Sequence, residues 1–364
     1  MSNYFGIIGA NYGDEGKGLV TKILAEENPG LNLNVLYNGG MQRGHTVVNN
    51  EGKSHIFHCF GSATFSNAAT YWAEDFLITP EGVVLEQYDL GFMPAVLAHP
   101  KCRIVTPYDV LFNQTKEKLR GDLKHGSCGM GIYETITRNK KIFLTFQDLS
   151  NNRAVYDILQ EIRWYYTNKL KALSIDPEPQ FKRVNLDNFF YSVDFLVRNV
   201  KMVEDPLMIP WTNVFFEGGQ GLALDMDNTF YYPYLTPSNT GSKGIKKIIG
   251  DENISLYYVT RPYFTRHGAD PYFEENKEDF KDFIDTSNVP NEWQGSIRYG
   301  YHKPQQMYNR IGKDATIWKK NEPWKVLFIT QSNSRQFLVE KDKYEEAKSN
   351  PLMVFDEIRY INHE

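Results

Sequence analysis

Two glycine-rich segments near the start of the chain carry the residue types that phosphate chemistry needs. The first, Gly9-Ala10-Asn11-Tyr12-Gly13-Asp14-Glu15-Gly16-Lys17-Gly18, follows a short apolar run and precedes a helix-forming stretch. Glycines let the backbone turn tightly enough for its N–H groups to face phosphate oxygens, and a helix N-terminus adds positive potential. Gly13, Glu15, Gly16 and Gly18 would shape that cradle, and Lys17 would reach the same phosphates. The pattern is close to a P-loop but departs from it. Gly18 stands where a Ser or Thr normally holds Mg²⁺, and Asp14 puts an anion where an ordinary phosphate cradle would avoid one. A glycine turn of purely structural purpose is the competing reading. The second segment, Tyr37-Asn38-Gly39-Gly40-Met41-Gln42-Arg43-Gly44-His45-Thr46, places His45 just past a Gly-rich turn. An imidazole there could act as general acid or base, although a lone histidine is more often structural.

The elements that must position these loops can be read from apolar periodicity. Short runs at Tyr4–Ile8, Asn34–Tyr37, Arg103–Val105, Val214–Phe216, Ser255–Thr260 and Lys325–Thr330 lack strict alternation. That fits strands buried on both faces of a parallel sheet. Gly18–Glu27, Asn152–Ala172 and Leu186–Val203 read as helices between them. Strand–turn–helix alternation predicts an α/β fold around one central, mostly parallel sheet, with ligands at the carboxyl ends of its strands. The charged segment Asp270–Asn291 is expected to be a mobile surface excursion, and Glu340–Glu364 a helical surface cap. No linker divides the chain, so residues 1–364 are expected to form a single large domain with loop and helical excursions.

Composition narrows the function classes. The chain of 364 residues is 41% hydrophobic, ordinary for a globular protein with a sizeable core. The 40 Lys and Arg against 45 Asp and Glu leave a net charge of −5, which argues against a non-specific nucleic-acid or anionic-membrane binder. Aromatic residues at 14% exclude disorder and suggest flat ligands held between rings. No run approaches the roughly 18 apolar residues needed to span a bilayer, and the first residues do not read as a secretion signal. Cys59, Cys102 and Cys128 are odd in number with no CxxC pair, so neither a disulfide framework nor a zinc site is expected. A cytoplasmic, reducing setting follows.

The combination of GDEGKG at Gly13–Gly18 and GGxxxGHT at Gly39–Thr46 resembles the adenylosuccinate synthetase family, ligases that join aspartate to a purine nucleotide. Later segments resemble the same family in the same order. They are Gly126-Ser127-Cys128-Gly129-Met130-Gly131, then Phe216-Glu217-Gly218-Gly219-Gln220-Gly221, then Leu224-Asp225-Met226-Asp227 with Tyr232-Pro233-Tyr234-Leu235-Thr236, and Thr265-Arg266-His267-Gly268. The resemblance implies a homodimer whose catalytic residues are Asp14, His45 and Gln220. Asp14 would take the purine N1 proton and, with the Gly44 carbonyl, ligate Mg²⁺. His45 would donate to the transferring phosphoryl group. Asn38, Gln42, Ser127, Gln220, Gly221, Thr236 and Arg266 would bind substrate, Ser127, Gln220 and Thr236 among them the nucleoside monophosphate, and Gly13, Glu15, Gly16, Lys17, Gly18, Gly44, His45 and Thr46 would bind the triphosphate. Arg138 would correspond to an arginine that reaches the neighbouring subunit's monophosphate, or would be a solvated surface arginine.

Two departures from the family pattern sharpen the expectation. Where the family carries an arginine-dense loop, this chain has Trp293-Gln294-Gly295-Ser296-Ile297-Arg298-Tyr299-Gly300-Tyr301. Arg298 is left to capture a substrate carboxylate, and Ser296 replaces the arginine that would bond the ribose hydroxyl. Losing that donor removes a reason to prefer ribose over deoxyribose. The second departure is at the strand end Thr330-Gln331-Ser332-Asn333, where the family reads guanine with a carboxylate. Asn333 can accept from adenine's 6-amino group while donating to N1, which predicts ATP or dATP as donor, with Gln331 beside it. Asn333 as a simple turn residue is the alternative. Both departures resemble the bacteriophage branch, which joins L-aspartate to dGMP and makes N6-succino-2-amino-2′-deoxyadenylate for 2-aminoadenine DNA, in the host cytoplasm. Some phage members have serine in place of the loop aspartate, so Asp14 also suits an ordinary synthetase acting on IMP. A non-catalytic nucleotide sensor is the reading from another class. A Rossmann oxidoreductase is disfavoured because the first turn lacks GxGxxG.

Overall fold

The strand Asn3–Gly9 near the start of the chain buries five consecutive residues, Phe5 to Gly9, as a strand covered on both faces does. The fold is that of a computed structural model, which describes residues 2–283, 292–318, 320–332, 334 and 355–362. Its centre is a sheet of nine strands: β1 (Asn3–Gly9), β2 (Asn32–Leu36), β3 (Ala69–Trp72), β4 (Val96–Ala98), β5 (Val200–Met202), β6 (Asn213–Gly221), β7 (Ser255–Thr260), β8 (Trp324–Thr330) and β9 (Glu357–Ile361). The order is β9-β8-β7-β1-β6-β2-β3-β4-β5, and every pairing is parallel. This is an α/β domain with β1 near the middle of the sheet.

Apolar packing on both faces explains the parallel arrangement. Helix Lys17–Glu27 lays Val20, Leu24 and Ala25 on one face against Phe5, Ile7, Val259 and Phe328. Helices Ser242–Ile249 and Pro304–Ala315 cover the other with Ile245, Met307 and Ile311 against Ile8, Val35 and Tyr258. A third cluster joins the β2–β5 side to the helices between residues 107 and 199, through Tyr108, Phe112, Leu159, Tyr166 and Val193. Among the described residues no helix is long and apolar enough to cross a membrane.

Several expectations are corrected. Residues 357–361 form β9, in parallel register with β8 from Val326↔Glu357 to Thr330↔Ile361, rather than a helical cap. Ile358 packs with one core and Ile361 with the other, a period-2 pattern that a charge-dense composition conceals. The remainder of that segment, 340–354, lies outside the described residues. Helix Leu186–Asn199 stops short of Val203, because Val200–Met202 continue as β5 beside β4. The run Arg103–Val105 gives only a two-residue strand paired with Leu77–Ile78, away from the central sheet. The described part of Asp270–Asn291 is anchored: Asp270, Phe273 and Phe280 are buried, and Phe280 stacks on Tyr299 at 5.5 Å. Aromatic residues supply the core that the scarcity of aliphatics hid.

Arg138 is neither a surface group nor one free to reach a neighbouring subunit. It is fully buried at the end of helix Ile132–Arg138, where Nη2 lies 2.9 Å from Asp109 Oδ2 and 2.8 Å from the Ile104 carbonyl. Tyr166 Oη donates to the other Asp109 oxygen at 2.6 Å. A buried carboxylate deprived of its cation is costly, so Arg138→Met should lower unfolding stability by about 3–5 kcal/mol. Urea denaturation would measure this, and a loss under about 1 kcal/mol would contradict a structural role.

Candidate active site

The loop after β1 turns by taking residues through positive φ at Gly13, Asp14 and Gly16. Asp14, at φ 57, is one of four such non-glycine residues described, in a region where a short carboxylate side chain is better tolerated than most. Glu15 points inward. Its carboxylate accepts from the backbone N–H of Asn11 at 2.8 Å and of Gly13 at 3.2 Å. Burial pushes its pKa up to about 7, against the pull of Lys17. Two loop amides that an ordinary phosphate cradle would offer are thus already occupied, and the Glu15 side chain braces the loop. The following helix begins at Lys17 with Gly16 as its cap and no side-chain cap bond, so its N-terminal amides are left for an anion. Lys17 itself is buried, and burial lowers its pKa. Thr265 Oγ1 donates to the Gly13 carbonyl at 2.9 Å and Thr330 Oγ1 to the Glu15 carbonyl at 2.8 Å, so the ends of two further chain segments hold the loop.

After β2 the chain passes Tyr37–Gly44 and enters a hairpin, His45–Val48 against Ser54–Phe57, which carries His45. His45 Nδ1 contacts the Glu217 carboxylate from β6 and lies 2.7 Å from Arg43 Nη2. Arg43 is 2.8 Å from the same Glu217 oxygen, and Ser62 donates to Glu217 through its N–H at 3.0 Å and its hydroxyl. Burial, with Arg43 beside it, depresses the His45 pKa to about 3, so the ring is neutral. Burial alone would raise Glu217, but Arg43 and His45 hold it below the usual carboxylate range. Among the described residues His45 Nε2 has no hydrogen-bond partner.

These segments converge on a cleft of about 1240 Å³ at the carboxyl ends of the strands. Gly13, Asp14, Lys17, Gln42, Gly44, His45, Thr46, Ser127, Gln220, Thr236 and Arg266 all line it. Buried polar atoms on these walls without a hydrogen-bond partner among the described residues include Gln42 Nε2 and Oε1, His45 Nε2 and Gln220 Oε1. Buried polar atoms are normally satisfied, so this wall is built for a polar ligand. The two amides share a neighbourhood, since a Cβ on Gly39 would lie 3.3 Å from Gln42 Nε2 and 3.4 Å from Gln220 Oε1. Ser127 receives a bond from Asn113 Nδ2 at 3.0 Å, and Arg266 is braced by Asp270 at 3.2 Å.

Other expected site residues lie off the cleft wall. Asn38 is committed to the Asn239 carbonyl at 2.7 Å and the Gly219 N–H at 2.8 Å, fixing the end of β6. Gly221 is needed where β6 crosses the first loop, because a Cβ there would meet the Asn11 carbonyl oxygen at 2.2 Å. Gly16 and Gly18 lie behind the loop. A Cβ on Gly18 would come within 2.8 Å of His45 Cβ and Ser62 Oγ, so this glycine allows helix and hairpin to touch. Arg298 donates to the Gly268 carbonyl and sits 5.1 Å from the Phe273 ring, and neither it nor Ser296 lines the cleft; Trp293 and Gln294 do. Gln331 adopts φ 50 and accepts from Tyr263 Oη away from the cleft, while Ser332 Oγ donates to Asn362 just beyond β9. Asn333 lies outside the described residues. Arg43, Glu217 and Ser62 were not anticipated from the sequence. The only signal for them was the position of Arg43 and Glu217 inside the two motifs that carry His45 and Gln220.

A family model described as adenylosuccinate synthetase matches residues 6–293. The adenylosuccinate synthetase of Proteus mirabilis is 30% identical over 299 residues, covering 78% of this chain and 67% of that protein. That of Ectopseudomonas mendocina is 29% identical over 293 residues, covering 76% and 66%. The chain belongs to the adenylosuccinate synthetase family. Members of this family are carbon–nitrogen ligases. The chain spans about two thirds of the length of these curated relatives. The fold is shared with the fully ligated adenylosuccinate synthetase of Plasmodium falciparum, at TM-score 0.70 and 20% identity over 91% of this chain and 77% of that one. It is also shared with the cyanophage S-2L succinoaminodeoxyadenylate synthetase bound to dGMP and dATP, at TM-score 0.64 and 16% identity over 96% and 89%.

The close approach at Gly18 gives a direct test of how His45 is held. Gly18→Ala should displace the His45 hairpin, cost about 1–3 kcal/mol in stability and lower turnover more than nucleotide affinity. Thermal unfolding and nucleotide titration would check this, and wild-type turnover in a folded Gly18→Ala protein would contradict it.

Proposed function

We propose that this chain joins L-aspartate to C6 of dGMP, using ATP or dATP to phosphorylate O6, and produces N6-succino-2-amino-2′-deoxyadenylate. The observation that carries the ligase reading is that Asp14, Lys17, His45 and Gln220, from the ends of three strands, line one cleft whose wall holds unpartnered polar atoms. Asp14 accepts the purine N1 proton, and O6 attacks the terminal phosphorus, releasing the nucleoside diphosphate. The deprotonated aspartate amine then bonds to C6, and inorganic phosphate leaves with the oxygen. Lys17 and the helix N-terminus offset charge on the phosphates. With Nδ1 facing Arg43 and Glu217, the His45 atom left for the phosphoryl group is Nε2.

Mg²⁺ suits the residues present. Asp14 supplies one carboxylate and Gly44 one carbonyl on the cleft, and among the described residues no three-ligand His, Cys, Asp or Glu cage exists. Mg²⁺ is commonly held in this way, by one or two carboxylates with substrate phosphates and water, and it would neutralise phosphate charge. A homodimer belongs to the same reading.

The choice of dGMP rests on residues 293–297, which hold no arginine. Trp293 and Gln294 face the cleft there, and no long cationic donor from this stretch awaits a ribose 2′-hydroxyl. The fold likeness to a synthetase bound to dGMP and dATP supports the choice. The retained Asp14 supports the second reading, an ordinary synthetase acting on IMP. Phosphate release with dGMP, GMP and IMP at equal concentration separates the two. Turnover should be fastest with dGMP, and turnover with IMP alone would overturn the proposal. Titration with ATP, dATP and GTP should show the adenine nucleotides binding more tightly; a clear GTP preference would reject the role given to Asn333. Asp14→Ala should reduce turnover by about 100-fold or more while triphosphate binding persists. Undiminished turnover would remove Asp14 from the reaction.

A further inference from the structure

We propose that Arg43 is a second phosphoryl-binding cation of this site, holding the group in transit between the triphosphate and the purine oxygen; the proposal rests on the ligase reading above. Arg43 is 1% exposed and contributes to the cleft wall. One end of its guanidinium is used: Nη2 reaches Glu217 Oε1 at 2.8 Å and His45 Nδ1 at 2.7 Å. The other donors are not, for Nε and Nη1 are buried and have no hydrogen-bond partner among the described residues. His45 Nε2, on the far side of the shared ring, is also without one.

A buried guanidinium with two idle nitrogens is rare, because each unsatisfied donor costs desolvation without return. Charge points the same way. Lys17 and Arg43 are two cations in the floor of the site, and Glu217, fully buried between Arg43, His45 and Ser62, offsets one of them. A fork of planar N–H donors is the geometry that binds phosphate oxygens in pairs. The group in transit carries three equatorial oxygens and accumulates charge on them, so a fixed cation at this depth acts most strongly while the group is between donor and acceptor. Lys17 would hold the phosphates that stay with the nucleotide, and Arg43 the one that leaves it. The ligand class assigned to Arg43 is therefore a terminal phosphoryl group.

The test compares two ligands that differ only in that group. With Mg²⁺ present, ADP and the β,γ-imido analogue of ATP are titrated calorimetrically into the wild type, Arg43→Lys and the double variant Arg43→Met with Glu217→Gln. The double variant removes both charges, so no buried ion is left alone if Arg43→Met by itself fails to fold. Circular dichroism confirms folding. The preference for the imido analogue over ADP should fall by about tenfold or more in the double variant, with ADP affinity held within about threefold, and Arg43→Lys should lose less. An unchanged preference in the folded double variant would overturn the role of Arg43 and leave the ligase reading standing. A wild-type protein that bound neither ligand would overturn both.

Discussion

An ionised carboxylate sealed from water has to collect enough donors to replace its hydration, and at Glu217 those donors come from two separate segments outside its own strand. They are Arg43 and His45 from the segment after β2, and the Ser62 amide and hydroxyl from the turn that follows the hairpin, while Glu217 itself belongs to β6. The arrangement fixes where His45 can be. The hairpin alone would set its backbone, but the ring direction is imposed by Glu217 and Arg43 together. Gly18 then lets the phosphate-loop helix press against the same histidine, so the two motifs are registered through one ion cluster and one missing Cβ. Because β6 is hydrogen-bonded to β1 and β2, the positions of the loops that follow all three strands are coupled.

Much of this was legible in the chain, and what was not has physical causes. The strands bearing the chemistry announce themselves because both faces are buried, and the runs at Tyr4–Ile8, Ser255–Thr260 and Lys325–Thr330 sit within β1, β7 and β8. The edge strands β5 and β9 were missed for the opposite reason: they are short and half-exposed, so Lys201 or Arg359 can stand in them without burial cost. Among candidate residues, those whose side chains end on the cleft were the easiest to find, because phosphate and base chemistry demands particular types. Arg138 was misread as a surface or intersubunit group, and the Asn38 side chain is engaged by backbone at both ends of its amide. An amide or a guanidinium has the same identity whether it binds a ligand or a backbone carbonyl, and only the third dimension shows which donors are already engaged. Arg43 is the reverse case. It lies inside a recognised motif at a position the motif leaves unspecified, and its partner Glu217 is more than 170 residues away in sequence.

The two acids of the first loop resolve what looked like a contradiction in a phosphate-binding turn. Glu15 faces the protein and takes the Asn11 and Gly13 amides, so it shapes the turn and removes two donors from the cradle. Asp14 faces the cleft at a positive φ that its neighbours enforce, 3.5 Å from Arg261. On the proposed reading, a backbone cradle weakened in this way would not hold a triphosphate by amides alone, and the deficit would fall on fixed cations. The proposal gives that task to Lys17 and Arg43, both buried in the floor of a chain whose net charge is −5. The same substitution of side chains for amides gives the site an acid at the edge of its phosphate region. A simple phosphate clamp has no use for one, and an enzyme that must lift a proton from a purine before phosphorylating it does.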